Sequence, residues 1–265
     1  MKKTTLTAFA KRKAEGQKLV MCTAYDAPFA SLAYAAGIDM MLVGDSVGTT
    51  LLGYNSTIPV TMTDMINATA AVRRGAPEAF LVFDLPFMSY QADDAEALRN
   101  AARAMKECGA DAVKLEGGAK YAALVKKMTD AGIPVMGHIG LMPQSVLLHG
   151  GYKVAGRGEA EGQQLIADAL ALQEAGAFAV VLECVPEALA SEITEKLTIP
   201  TIGIGAGKNC SGQIQVIHDL LGLLSFTPKH AKRYIEAGEL ITQALRDYVS
   251  DVRSGTFPAA ENSFK

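Results

Sequence analysis

Three absences narrow what this chain can do. It has no dense block of like charge, since 25 basic residues face 28 acidic ones for a formal net charge of −3. That argues against the basic groove of a nucleic-acid binder and the cationic helix of a membrane-surface protein. It has no apolar run near the roughly 20 residues that span a bilayer. Its basic start, Met1-Lys2-Lys3, is not followed by the apolar stretch of roughly 7–15 residues that a secretory signal requires. It has no CxxC pair, because Cys22, Cys108, Cys184 and Cys210 are scattered. Such cysteines read as reduced, mostly buried thiols of a cytoplasmic protein, without a disulfide framework or a zinc knuckle. A small-molecule partner is the expectation that remains, with no nucleic acid and no membrane involved.

What is present is material for one large core. The 265 residues are 49% hydrophobic, and a length of roughly 250 suits a barrel of alternating strands and helices. Short apolar runs recur at Leu19–Ala24, Met40–Gly44, Phe80–Asp84, Ala112–Glu116, Ile133–His138, Ala179–Glu183, Pro200–Gly205 and Ile214–Ile217. Near-continuous Val, Ile, Leu, Met and Ala is the pattern of parallel strands buried on both faces. Between them lie alanine-rich segments with charges at helical spacing, such as Asp93–Cys108 and Glu159–Ala175. Gly37, Gly109, Gly132 and Gly176 stand where a helix would end and a strand begin, a joint that needs the left-handed conformation. Alternation of strand and helix implies right-handed crossovers and a parallel sheet. Eight strands in this length favour a closed (β/α)8 TIM barrel, one α/β domain over residues 1–265. The segment before Gly16 reads as an extra N-terminal helix, and Gly255–Lys265 as an irregular tail. Two connections, Val47–Met62 and Gly140–Arg157, are longer than a barrel needs; the second carries His149, Lys153 and Arg157. Long loops on a compact domain are usually functional.

In such barrels the chemistry sits at the carboxyl ends of the strands. Those ends carry Asp45-Ser46, Asp84, Lys114 with Glu116, His138 and Glu183. Each has a plainer explanation. Asp45-Ser46 could cap a helix, Asp84 could make a turn before Pro86, Lys114 could pair with Glu116 or another carboxylate, and Glu183 could cap a helix at Pro186. His138 could be a hydrogen-bonded core group. Four strand ends independently carrying charge are harder to dismiss, because unpaired charge beside an apolar strand is costly. A hard divalent cation such as Mg²⁺ accounts for the carboxylates. A 2-oxo acid can chelate that ion, which makes the proton on the adjacent carbon removable. Glu183 is then the candidate base, and Lys114 the candidate anchor for substrate charge. Gly203-Ile204-Gly205-Ala206-Gly207 lacks dinucleotide-loop spacing and reads as close backbone packing.

The motifs run along most of the chain: Val43-Gly44-Asp45-Ser46, Ser56-Thr57-Ile58-Pro59-Val60-Thr61, Asp84-Leu85-Pro86-Phe87, Lys114-Leu115-Glu116-Gly117-Gly118, His138-Ile139-Gly140-Leu141, Pro143-Gln144-Ser145, Gly150-Gly151-Tyr152-Lys153 and Leu182-Glu183-Cys184-Val185-Pro186. With them the sequence resembles the ketopantoate hydroxymethyltransferase family. The resemblance implies Mg²⁺ and transfer of a hydroxymethyl group from 5,10-methylenetetrahydrofolate to 3-methyl-2-oxobutanoate, in pantothenate synthesis. It further implies Asp45 and Asp84 as direct metal ligands, with Glu116 completing the site directly or through water. Ser46, Asp84 and Lys114 would contact the 2-oxo acid, Glu183 would accept the proton, and the chain would form a homo-oligomer, a decamer in the family. His138 receives no role. The chain departs from the family pattern at Asn67-Ala68, Ser211 and His230. The alternative is a metal-dependent 2-oxo-acid enzyme of the phosphoenolpyruvate mutase and isocitrate lyase type, whose cysteine-bearing loop does not stand out here.

Overall fold

The computed structural model describes residues 4–151 and 153–264, so Tyr152 of the Gly150–Lys153 motif lies outside the described residues. Contacts divide the chain into two compact units, Met1–Val216 and Ile217–Lys265.

The first unit is the barrel. Its strands are β1 (Leu19–Thr23), β2 (Met40–Val43), β3 (Phe80–Asp84), β4 (Ala112–Glu116), β5 (Val135–Gly140), β6 (Ala179–Glu183), β7 (Thr201–Ile204) and β8 (Gly212–Gln215). Each pairs in parallel with the next, and β8 returns to β1, which closes the ring. The expected architecture is present. Helix α1 (Leu6–Ala14) precedes the barrel, and α2 (Ala27–Ala35), α3 (Val47–Thr50), α4 (Met62–Gly75), α5 (Asp94–Cys108), α6 (Ala122–Asp130), α7 (Val146–His149), α8 (Glu159–Glu174) and α9 (Glu187–Lys196) lie between strands.

Two strands differ from their sequence limits by more than one residue at an end. β5 starts at Val135 because Pro134 has no N–H to give to a ladder, and it runs on to Gly140, opposite Glu183. β8 starts at Gly212 and ends before Ile217, which opens a helical turn. A Cβ at position 212 would stand 2.5 Å from the Leu19 carbonyl oxygen, so glycine allows that close pairing.

Local signals set the helix ends. Thr61 and Asp64 form a reciprocal capping box on α4, and Asp93 accepts the Ala95 and Glu96 N–H groups on α5. Gly109 ends α5 at φ 70, in the left-handed region that the helix-to-strand joint requires.

Side chains alternate along each strand. One set, including Leu19, Met21, Met40, Leu42, Phe80 and Val82, meets its counterparts from the other strands in a single apolar cluster. The α1 side chain Phe9 completes that cluster, edge-on to Phe80 with ring centroids 5.1 Å apart.

The second unit holds α10 (Ile217–Leu220) and α11 (Ala237–Ser254). No residue of α11 is buried. The tail beyond it is irregular apart from a short 3₁₀ turn at Ala260–Asn262. Among the described residues, no helix is long and apolar enough to cross a membrane.

Candidate active site

The charged residues are the next inward positions of the strands that build the apolar cluster. β3 reads Phe80, Val82, Asp84, β4 reads Ala112, Lys114, Glu116, β5 reads Met136, His138, and β6 reads Ala179, Val181, Glu183. A period of two carries each strand from hydrocarbon to charge on one face. Asp84 is only 2% exposed and His138 1%. Asp45, just past β2, and Lys114 and Glu116 are buried with them.

Asp84 joins the group. Its Oδ1 accepts a hydrogen bond from Lys114 Nζ at 2.6 Å, and its Oδ2 accepts one from the Asp45 N–H at 3.3 Å. The two aspartates therefore lie side by side with a single ammonium beside them. Burial, and next the charge of Asp84, push the Asp45 carboxyl up to about 7, against the pull of Lys114. Burial also holds Glu116 well above the usual carboxylate range, with Lys114 opposing and Asp45 and Asp84 adding. For Lys114, burial acts to lower the pKa, but Asp84, Glu116 and Asp45 together raise it, so it stays charged. Three buried carboxyl groups thus share one lysine. Such a cluster is an uncompensated demand for positive charge.

The helix-cap explanations do not hold in the folded chain. Ser46 occupies the cap position of α3 without a side-chain cap, and its hydroxyl lies 2.7 Å from that of Tyr25. Asp45 Oδ2 instead accepts from Gln144 Nε2 at 3.0 Å. Pro186 holds the cap position of α9 with no side-chain bond, so Glu183 does not cap that helix. Lys114 does pair with a carboxylate, Asp84, as the plainer reading of that residue allows.

Glu183 is 19% exposed, the most open of the acidic side chains here. It joins the others through His138, whose Nε2 lies 3.3 Å from Glu183 Oε2 and whose Nδ1 lies 3.7 Å from Glu116 Oε1. Neither nitrogen makes a well-aligned hydrogen bond. Burial and then Lys114 lower the His138 pKa, outweighing Glu183, which favours a neutral ring.

Three residues with no predicted role complete the arrangement. Gln144 is buried and donates to Asp45 and to the Leu85 carbonyl (2.9 Å), while its N–H donates to Glu116 Oε2 at 3.1 Å. Gln91 Nε2 donates to Gln144 Oε1 at 3.0 Å, which fixes the amide's orientation. The Tyr90 hydroxyl donates to the Glu116 carbonyl at 3.0 Å and accepts the Glu116 N–H at 3.1 Å. The only sequence signal for Gln144 was the Pro143-Gln144-Ser145 motif, and nothing marked Tyr90.

The glycine loop after β7 packs closely, as expected. A Cβ at Gly203 would meet Cys210 Sγ at 2.9 Å, and one at Gly207 would meet Glu187 Cγ at 2.3 Å. All four cysteines are free. Burial pushes Cys22 up to about 12 and Cys108 and Cys184 up to about 11, so these thiols stay protonated and unreactive at neutral pH.

Among the described residues, no three His, Cys, Asp or Glu side chains form a ready-made metal cage. The donor set still suits a hard ion. Asp45 and Asp84 are adjacent, all-oxygen and short of positive charge, and Mg²⁺ characteristically takes one or two carboxylates and keeps several waters.

In solved structures the barrel is similar to phosphonopyruvate hydrolase in complex with oxalate and Mg²⁺, with a TM-score of 0.64 at 12% identity, covering 99% of this chain and 93% of that one. It is also similar to 2,3-dimethylmalate lyase of the PEP mutase/isocitrate lyase superfamily, with a TM-score of 0.59 at 15% identity, covering 98% of this chain and 91% of that one. At such identities the likeness is one of fold. Sequence relatives are much nearer. The 3-methyl-2-oxobutanoate hydroxymethyltransferase of Desulfotalea psychrophila is 53% identical over 100% of this chain and 95% of its own length. That of Pseudothermotoga lettingae is 55% identical over 95% of this chain and 96% of its own length. The family model described as ketopantoate hydroxymethyltransferase matches residues 3–260, and the chain belongs to that family.

Proposed function

We propose that this chain is a 3-methyl-2-oxobutanoate hydroxymethyltransferase of pantothenate synthesis, using 5,10-methylenetetrahydrofolate as one-carbon donor and Mg²⁺ as its ion. The observation that carries the reading is the buried cluster of Asp45, Asp84 and Glu116 around a single lysine, in a chain more than half identical to relatives bearing that name.

Asp45 and Asp84 hold the ion, with Glu116 completing the site directly or through water. The ion supplies Lewis-acid polarisation of the 2-oxo acid's ketone when bound. Gln144 holds the Asp45 carboxylate in place by its 3.0 Å hydrogen bond. Ser46, Asp84 and Lys114 contact the 2-oxo acid, and the ammonium of Lys114 balances its carboxylate. Glu183, the more open carboxylate, removes the proton from the branched carbon. That carbon then bonds to the donor's methylene as one of the methylene's two carbon–nitrogen bonds breaks. Water provides the hydroxyl as the second breaks, and the proton taken from the substrate and one from water end on the two freed folate nitrogens. The barrel works as one catalytic domain in a cytoplasmic homo-oligomer, a decamer by resemblance. Exposed Leu240, Ile241, Leu245, Tyr248 and Val252 along α11 support assembly.

Incubation with Mg²⁺, 3-methyl-2-oxobutanoate and 5,10-methylenetetrahydrofolate, followed by mass detection, should yield 2-dehydropantoate. Carbon–carbon cleavage of a 2-oxo acid without folate, and no such product, would replace this reading with the mutase and lyase type.

A further inference from the structure

Gln144 reaches the acidic cluster from a loop and not from a strand. It sits in the 3₁₀ turn Pro143–Ser145 after β5, yet it is only 4% exposed and meets carboxylates from two different strand ends. Its side-chain Nε2 donates to Asp45 Oδ2 at 3.0 Å, and its backbone N–H donates to Glu116 Oε2 at 3.1 Å. The second Nε2 proton goes to the Leu85 carbonyl at 2.9 Å. A backbone carbonyl can only accept, so the amide nitrogen must face this side. On the other side Gln91 Nε2 donates to Gln144 Oε1 at 3.0 Å. Both amide protons are engaged, and the group has no reason to turn over.

Asp84 is held in a similar way. Its Oδ1 takes the Lys114 ammonium at 2.6 Å, while its Oδ2 has the longer 3.3 Å contact from the Asp45 N–H. At least one oxygen of each of the three carboxylates is therefore gripped by a protein donor. For Asp45 and Glu116 that donor is Gln144, and it is neutral. A lysine in its place would supply positive charge and compete with a cation. An amide fixes the oxygens and leaves the cluster still short of positive charge.

A carboxylate with one oxygen gripped turns the other to an ion. That suits a small ion and works against a larger one. Mg²⁺ demands near-octahedral geometry, with one or two carboxylates and several waters, whereas Ca²⁺ takes about six to eight oxygens and often both of one carboxylate. We infer that Gln144 is a positioning residue that sets the choice of ion: by gripping one oxygen of Asp45 and one of Glu116, it makes both carboxylates single-oxygen ligands and selects an octahedral ion over Ca²⁺. The inference rests on the proposed metal site, and Gln144 acts on the ion only through Asp45 and Glu116.

Competition against Mn²⁺ tests this without turnover, because the paramagnetic resonance signal of the free ion reports its release. Mg²⁺ and Ca²⁺ are titrated separately as competitors at one pH. Protonation of the carboxylates then weighs equally on both ions and drops out of their ratio. The natural protein should release Mn²⁺ to Mg²⁺ at a lower concentration than to Ca²⁺. Gln144→Met keeps the length of the side chain and removes its donors. It should move the ratio toward Ca²⁺ by about tenfold, the usual weight of a partner that orients a metal ligand. Gln144→Asn keeps the amide but draws it back by one methylene, and should move the ratio the same way if the methionine variant does not fold. An unchanged ratio in either folded variant, even with both ions weakened alike, reduces Gln144 to a packing role and overturns the inference. So does a natural protein that takes Ca²⁺ as readily as Mg²⁺. A natural protein that binds no Mn²⁺, Mg²⁺ or Ca²⁺ would remove the proposed metal site itself, and the inference with it.

Discussion

The two ends of the barrel interior are built from the same face of the same strands, yet one is hydrocarbon and the other ionic. At the amino-terminal end Phe9, Phe80, Met21 and Met40 fill the space within a single apolar cluster. Two residues further along the strands, Asp84, Lys114, Glu116 and His138 occupy equivalent inward positions, almost as deeply buried. Burial of apolar area favours folding at the first end. At the second, burial works against the charged forms, and the raised pKa of Asp45 registers that opposition. On the proposed function, the barrel keeps stability and chemistry on separate levels. A change at one end should be read in unfolding experiments and a change at the other in kinetics.

The largest effect expected is at the ionic end. Glu183→Gln keeps the shape of the side chain but removes the proposed base, so proton exchange at the 2-oxo acid's branched carbon should fall by about 10²–10⁴-fold. Binding of the 2-oxo acid should persist, because Lys114 and the aspartates are untouched. NMR of the substrate in deuterated water follows this directly. Undiminished exchange would take Glu183 out of its role, and a large drop in stability would blur the division between the ends.

At the apolar end the expectation is reversed. Phe9 is fully buried against Phe80, and Phe9→Ala should cost about 3–5 kcal/mol in denaturant unfolding through lost contact and the cavity left behind. The Michaelis constant for the 2-oxo acid should not move at temperatures where the variant remains folded. A variant with normal stability but impaired turnover would show that α1 reaches the chemistry after all.

The same division explains what could be read from the sequence. All eight strands were legible because a strand buried on both faces is an apolar run, and glycine marks the helix ends before several of them. The limits of β5 and β8 were not, since they depend on the missing N–H of Pro134 and on the tight approach of Gly212 to Leu19. The acidic residues and Lys114 were legible for a related reason: charge at the end of an apolar strand has no cheap place to go. Gln144 and Tyr90 carry no charge and sit in loops, where a neutral polar residue is ordinary. His138 became interpretable only through register. Glu116 stands opposite it on β4, and Glu183 follows two residues beyond its partner Val181 on β6.

The smallest expected effect concerns pH in metal-free protein. Asp45 has a folded-state value of about 7 against an ordinary 3.8. Between those values the folded chain holds a proton that the unfolded chain has released, so stability must fall as pH rises from about 4 to 7. Glu116, raised in the same direction, adds to this fall. The size should be about 1–3 kcal/mol, measured as a shift in denaturant midpoint. If Mg²⁺ replaces the proton at these carboxylates, as proposed, its stabilising effect should grow across the same window, where proton competition fades. Asp45→Asn, which cannot ionise, should flatten both trends. If the slope is unchanged in that variant, the charge strain at this end of the barrel resides elsewhere than at Asp45. If Mg²⁺ stabilises the variant as well as the natural protein at pH 7, Asp45 does not hold the ion.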